Sequence, residues 1–245
     1  MSSTSTSSTS SSTPSSTPSS TPTSTVGIIG AGRIGSAVAQ LAVDAGLDVV
    51  IANSRGPETL SDLVSALGPK ARAATADEAA RAGDVVVLTI PLKATTDVDP
   101  APLVGKVVLD TGNYYPQRDG QVAALDDGST TSSALTQQHL AGSSVVKAFN
   151  NIYSESLRSL ARPAGDAERT ALTVFGDDDD AKAVATAFLD VIGYDAVDGG
   201  SLADSWRAEP GRPAYGLPYA QGEDFTAAKP AGAEEVRAAL ARAQR

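Results

Sequence analysis

Gly30, Gly32 and Gly35 stand at the spacing G-x-G-x-x-G, in the segment Gly30-Ala31-Gly32-Arg33-Ile34-Gly35. Glycines so placed wrap backbone around a diphosphate. The first permits a tight turn, the second lets the main chain approach a pyrophosphate, and the third allows a helix to pack closely on a strand. The apolar run Val26 to Ile29 precedes the segment and an alanine-rich stretch follows it. Strand, turn and helix are therefore predicted in that order, with Arg33 and Ile34 at the helix start. Its free N–H groups and positive dipole end suit phosphate oxygens. The competing reading is a plain glycine turn in an unrelated α/β fold, and the position at the first strand of an alternating chain favours the dinucleotide.

A second group of residues reports on which dinucleotide. The run after the glycines ends in Asn53-Ser54-Arg55, where a site for NAD usually carries a carboxylate for the ribose 2′-hydroxyl. A hydroxyl beside a guanidinium suits a 2′-phosphate instead, and the expected cofactor is NADP(H). Three loops then fall at the carboxyl edge of the sheet, where open α/β folds bind ligands. They are Ile90-Pro91, Asp110 to Asn113, and Ala148 to Asn151. Ile90, Pro91, Asn113, Ala148 and Asn150 are the residues predicted to line the nicotinamide end.

Composition removes most other chemistries. The chain has no cysteine and one histidine, His139, so thiol nucleophiles, thiolate metal sites and paired-histidine metal sites are excluded. No catalytic side chain and no metal ligand are predicted, since chemistry carried by a cofactor needs chiefly orientation. Asp177 to Asp180 precedes a predicted helix and reads as capping. His139 reads as a surface or packing residue. A formal charge of −10 opposes binding to nucleic acid or to an acidic membrane surface. No stretch approaches the roughly 18 apolar residues of a membrane span, and a cytoplasmic location is expected. A homodimer is left open.

The elements that must position these residues follow from the patterning. Residues 1–25 are almost wholly Ser, Thr and Pro, which cannot build a core and read as a disordered tail. Residues 26–151 alternate short apolar runs with helical stretches, the pattern of a Rossmann-type α/β domain with a doubly wound parallel sheet. Strands are predicted at Val26 to Ile29, Asp48 to Ala52, Val85 to Ile90, Lys106 to Asp110 and Ser144 to Ala148. Residues 152–205 add a small αβ C-terminal extension. Residues 206–245 form a proline-punctuated lid and a weakly amphipathic tail, with Trp206, Tyr215 and Tyr219 available for stacking and Arg207 and Arg212 for an anionic tail.

The chain resembles the NADP oxidoreductase family that exchanges hydride with the deazaflavin coenzyme F420, and the related cytosolic domain of six-transmembrane metalloreductases. The resemblance runs from Val26 to about Ser205. It rests on the glycine turn, Asn53-Ser54-Arg55, Leu88-Thr89-Ile90-Pro91, Val108-Leu109-Asp110, Val146-Lys147-Ala148-Phe149-Asn150, Phe175-Gly176-Asp177 and Asp198-Gly199-Gly200-Ser201-Leu202. It implies an oxidoreductase whose partner is a small-molecule hydride carrier, a deazaflavin or a flavin, lying against the nicotinamide. An NADPH-dependent reductase of flavin, ferric or quinone acceptors is the neighbouring alternative. A non-catalytic NADP(H)-sensing module is the alternative from another class.

Overall fold

Apolar runs too short for helices and hidden on both faces become the strands of one mainly parallel sheet. The computed structural model describes Met1, residues 23–222 and residues 224–245, with 224–226 by backbone alone. The expected disordered tail lies outside the described residues over 2–22. Strands are β1 (Thr25–Ile29), β2 (Asp48–Ala52), β3 (Ala71–Ala73), β4 (Val85–Leu88), β5 (Val107–Asp110), β6 (Ser144–Lys147), β7 (Ala171–Gly176) and β8 (Asp195–Gly200). Helices α1 (Arg33–Asp44), α2 (Ser61–Leu67), α3 (Ala76–Ala82), α4 (Pro116–Asp119), α5 (Ala123–Asp126), α6 (Ser132–His139), α7 (Ser154–Ser159) and α8 (Asp179–Val191) lie between them. A hairpin of β9 (Ala220–Gln221) and β10 (Asp224–Ala228) leads into α9 (Ala233–Ala241).

The eight strands pair in the order β3-β2-β1-β4-β5-β6-β7-β8. All neighbours are parallel except β6 and β7. The architecture is a Rossmann-like, doubly wound α/β fold. Strand alternation sends Val26, Ile28, Val49, Ile51, Val85 and Val87 to one face, beneath α1. Val50, Ala52, Val86, Leu88 and Val108 go to the other, against Ala79 and Ala80 of α3. Each such Val, Leu or Ile side chain contributes about 1.5–3 kcal/mol on burial, so two filled faces hold the carboxyl edge rigidly. At Gly27 a Cβ would sit 2.2 Å from the Ala79 carbonyl oxygen, which is why α3 lies directly on β1.

Beside one-residue shifts at Lys106 and Ala148, the structure departs from the sequence-based expectations in four places. Strand β1 begins at Thr25, because Asp84 accepts hydrogen bonds from the backbone N–H groups of Ser24 and Thr25 at 2.9 and 3.0 Å. Those bonds hold the Asp84 carboxyl below its ordinary range. The strand expected over Val85 to Ile90 ends at Leu88, although the Thr89 N–H still donates to the Ile29 carbonyl at 2.9 Å before the chain turns away at Ile90 and Pro91. Strand β3 was not anticipated: three residues, Ala71-Arg72-Ala73, are too few to show a period. The fourth departure concerns 206–245. Tyr219, Ala231, Val236 and Leu240 are buried in the main core, and the Ala171 N–H donates to the Ala231 carbonyl at 2.8 Å. The lid and tail expected here are therefore packed onto the body through these residues. Asp178 caps α8, accepting from the N–H groups of Asp180 and Ala181. Among the described residues, no helix is long and apolar enough to cross a membrane.

Candidate functional site

The glycine turn lies at the carboxyl edge of the sheet, between two lobes of a groove that share Gly32, Thr89, Ile90 and Pro91 as lining. Gly30 has a φ of +113°, and a Cβ there would sit 2.2 Å from the Thr89 carbonyl oxygen. At Gly35 a Cβ would meet the Gly30 carbonyl oxygen at 2.0 Å, so its absence lets α1 press onto the turn. Gly32 differs from both. It has ordinary extended backbone, φ −78° and ψ −168°, and a Cβ there would meet nothing within 4 Å. Helix α1 starts immediately after it with no side-chain cap and no acidic residue in the first turn. Its leading N–H groups, which lack intrahelical partners, are left for an anion in the open space at Gly32.

The first lobe, of about 520 Å³, is lined by Gly30, Asn53, Ser54 and Arg55 together with Asp77, Asp97 and Asp99. The Asn53 carboxamide folds the strand end, accepting from the Arg55 N–H and donating to the Thr59 hydroxyl, both at 2.9 Å. Among the described residues the exposed Arg55 guanidinium has no partner. The Ser54 hydroxyl and the Arg55 guanidinium are the donors this lobe offers to an added phosphate.

The second lobe, of about 320 Å³, gathers Arg33, Ile34, Asn113 and Asn150 with Tyr115, Arg118, Tyr153 and Tyr215. The two asparagines are buried and tied to each other. Asn113 Nδ2 donates to the Asn150 carbonyl at 2.8 Å, and Asn150 Nδ2 donates to Asn113 Oδ1 at 3.1 Å and to the Ala208 carbonyl at 2.9 Å. Both amide hydrogens of Asn150 are thereby used, while its Oδ1 is buried without a partner. That orphaned acceptor in the wall suits a ligand N–H such as a carboxamide. Phe149 just before it has a φ of +61°, rare for a side chain of this size. Strain of that kind concentrates at ligand sites. The Tyr115 and Tyr215 hydroxyls lie 2.6 Å apart, and burial, then this bond, pushes the Tyr215 phenol above its ordinary range.

Eleven of the residues singled out from sequence meet in this groove, namely Gly30, Gly32, Arg33, Ile34, Asn53, Ser54, Arg55, Ile90, Pro91, Asn113 and Asn150. Gly35 and Ala148 do not line it. Gly35 acts through packing, and Ala148 is fully buried in the core with its N–H bonded to the Asp110 carbonyl. Of the three aromatics expected to close the groove, only Tyr215 reaches it. The Tyr219 hydroxyl donates to the Ala171 carbonyl in the core, and Trp206 carries the guanidinium groups of Arg212 and Arg245. Arg207 donates to the Gly199 carbonyl and Arg212 to that of Gln244, so neither awaits an anionic tail. His139 ends α6 with Nε2 2.8 Å from the Val98 carbonyl oxygen, outside both lobes. Tyr115, Arg118 and Tyr153 were not anticipated, because loop residues carry no period that would announce their direction.

Behind the second lobe, Glu209 lies 3.4 Å from Lys147. Burial pushes the Glu209 carboxyl up, but the Lys147 charge and hydrogen bonds from Ser132 outweigh it and hold the group below its ordinary range. Its stabilisation is therefore present above the unfolded value of about 4.3 and lost as pH falls through the lowered folded value. The urea midpoint of the wild type is expected to fall more steeply from about pH 5 to pH 3 than that of Glu209→Gln. Parallel curves would refute the assignment.

The family of NADP oxidoreductases described as coenzyme F420-dependent matches residues 25–114. No curated protein matches the sequence. A hypothetical protein from Sinorhizobium meliloti superposes with a TM-score of 0.68 at 31% identity, over 78% of this chain and 92% of its own. A protein from an Arthrobacter species assigned as an F420-dependent NADP-reductase gives a TM-score of 0.63 at 22% identity, over 75% and 87%. The 3-hydroxyisobutyrate dehydrogenase of Mycobacterium tuberculosis gives 0.52 at 20% identity, over 74% and 55%. The latter two likenesses concern the fold alone. With the glycine turn, the open helix end and the two-lobed groove in place, the chain is an NAD(P)-dependent oxidoreductase whose residues 25–114 belong to this family.

Proposed function

We propose that this protein transfers a hydride between NADP(H) and a deazaflavin of the coenzyme F420 type, with a flavin as the alternative carrier. The observation that carries the reading is the continuous groove over Gly32, which joins the Ser54–Arg55 corner to the Asn113–Asn150 pair. The residues present fit the dinucleotide: open space at Gly32, an uncapped helix end and, among the described residues, an unpaired Arg55 guanidinium and an orphaned acceptor at Asn150. When bound, NADPH supplies the hydride. Gly32 and the first turn of α1 hold the pyrophosphate, Ser54 and Arg55 hold the 2′-phosphate, and Asn150 with Pro91 orients the carboxamide end. Tyr115, Tyr153 and Tyr215 give the second lobe an aromatic lining suited to a flat carrier, with Arg118 against the Tyr115 ring and Tyr153 edge to face with Tyr215. The family match supports the deazaflavin, and the flavin alternative rests on the resemblance at Ala148-Phe149-Asn150.

Arg55→Ala is expected to weaken NADPH binding about 10- to 100-fold while leaving NADH affinity nearly unchanged, because only NADPH loses a charge-assisted contact. Equal losses for both would refute the choice of cofactor. The function itself is tested by following NADPH absorbance with coenzyme F420, flavin mononucleotide, quinone and ferric acceptors in parallel. Reduction of F420 well above the others is expected. Tight NADPH binding with no oxidation by any acceptor would instead identify a sensor.

A further inference from the structure

Lys147, the last residue of β6, is completely buried. An unpaired ammonium in a protein interior costs many kcal/mol, so a buried lysine must be fully bonded. Its three N–H groups donate to the Gly112 carbonyl at 2.8 Å, the Ser132 hydroxyl at 2.7 Å and the Ser133 hydroxyl at 3.0 Å. The two hydroxyls pass their own protons outward. Ser132 donates to Glu209 at 2.8 Å and Ser133 to Asp110 at 2.7 Å. The other oxygen of Asp110 accepts the Gly112 N–H at 2.8 Å. Gly112 is thus held at both its carbonyl and its amide by one connected set of charges.

The set ends on the pieces that carry the two asparagines. Gly112 precedes Asn113, Lys147 is three residues before Asn150, and Ala208, beside Glu209, accepts from Asn150 Nδ2. We propose that Lys147, paired with Glu209, is a positioning residue that fixes the Asn113–Asn150 pair so that the second lobe accepts the nicotinamide in one orientation. It touches no ligand and acts through Gly112 and Ala208. This inference rests on the reading that the second lobe takes the nicotinamide end. An ion pair is suited to the task because its bonds are directional, whereas apolar groups of similar volume fill the space without fixing the turn.

The test compares full-length wild type, Lys147→Met, Lys147→Met/Glu209→Met and Glu209→Gln. Affinity is measured by calorimetry for NADPH and for adenosine 2′,5′-bisphosphate, which lacks the nicotinamide half, alongside urea midpoints and the fluorescence of bound NADPH. Lys147→Met strands the partly buried Glu209 carboxylate and should lose much of its stability, while the double variant should recover most of it. The double variant should nonetheless bind NADPH about tenfold or more weakly, with a diminished fluorescence change, because the asparagines are misplaced. Its affinity for the bisphosphate should stay at the wild-type value. Glu209→Gln keeps size and hydrogen bonding, and should show the same split in a milder form should the double variant not fold. Wild-type NADPH affinity in a folded variant, or equal losses for both ligands, would overturn the proposal. Should the wild type bind NADPH no better than the bisphosphate, the nicotinamide reading itself fails, and the proposal with it.

Discussion

Gly32→Val is expected to abolish NADPH binding while leaving the chain folded. A Cβ at this position meets nothing within 4 Å, and its extended backbone is one that a β-branched residue adopts readily. No core atom moves and no hydrogen bond is lost, so the unfolding free energy should change by no more than about 0.5 kcal/mol. The isopropyl group instead fills the space in front of the α1 N–H groups, where a pyrophosphate must approach the backbone. The expected loss is on the order of 100-fold or more, which corresponds to about 2.7 kcal/mol. The neighbouring glycines provide the contrast. Valine at Gly30 or Gly35 would drive a Cβ to 2.2 or 2.0 Å from a carbonyl oxygen, and those variants should fail to fold. Calorimetric titration with NADPH beside a thermal melt decides the matter, and retained affinity in folded Gly32→Val would remove the phosphate from this turn.

Ending the chain at Ser205 is expected to unfold the protein rather than merely uncover the groove. Tyr219, Val236 and Leu240 are 1%, 0% and 5% exposed, and burial of each such side chain contributes about 1.5–3 kcal/mol. Against a total stability of about 5–15 kcal/mol, those three alone remove a large share. The truncation also takes Glu209 from Lys147 and the Ala208 carbonyl from Asn150, leaving a buried ammonium without its counter-charge. Insoluble or non-cooperative material is the expected product. A shortened chain that melts cooperatively near the wild-type temperature would show that 206–245 is a separable lid after all.

The glycine turn could be read from sequence because its meaning depends on local order: a strand before, a helix after, and spacing that only close packing explains. The Asn53-Ser54-Arg55 corner follows from the same logic, since a strand end at the carboxyl edge is fixed by topology. Ala148 shows where such reasoning stops. Continuing the alternation of β6 would bring it to the edge, but the positive φ of Phe149 breaks the alternation, buries Ala148 and delivers Asn150 instead. Lys147 was equally opaque. A lysine after Val145 and Val146 normally marks the end of a buried run, and only the tertiary partners Ser132, Ser133 and Glu209, far apart in sequence, make its burial tolerable. The fate of 206–245 was obscured by its prolines, which suggested a loop, while the Val236, Ala239 and Leu240 stripe on α9 was too short to proclaim a core helix.

The hold of Asp84 on Ser24 and Thr25 fixes where the chain enters the sheet. It enters at the amino edge of β1, and the groove opens at the other end of that strand, about 16 Å of extended chain away. A tether introduced at Thr23 would therefore leave the groove facing away from it, toward solution. Arg245 stacks on Trp206 and the Gln244 carbonyl receives Arg212, so coupling at these residues would pull on the body of the protein. An electrode or bead carrying this protein should be coupled beside Ser24.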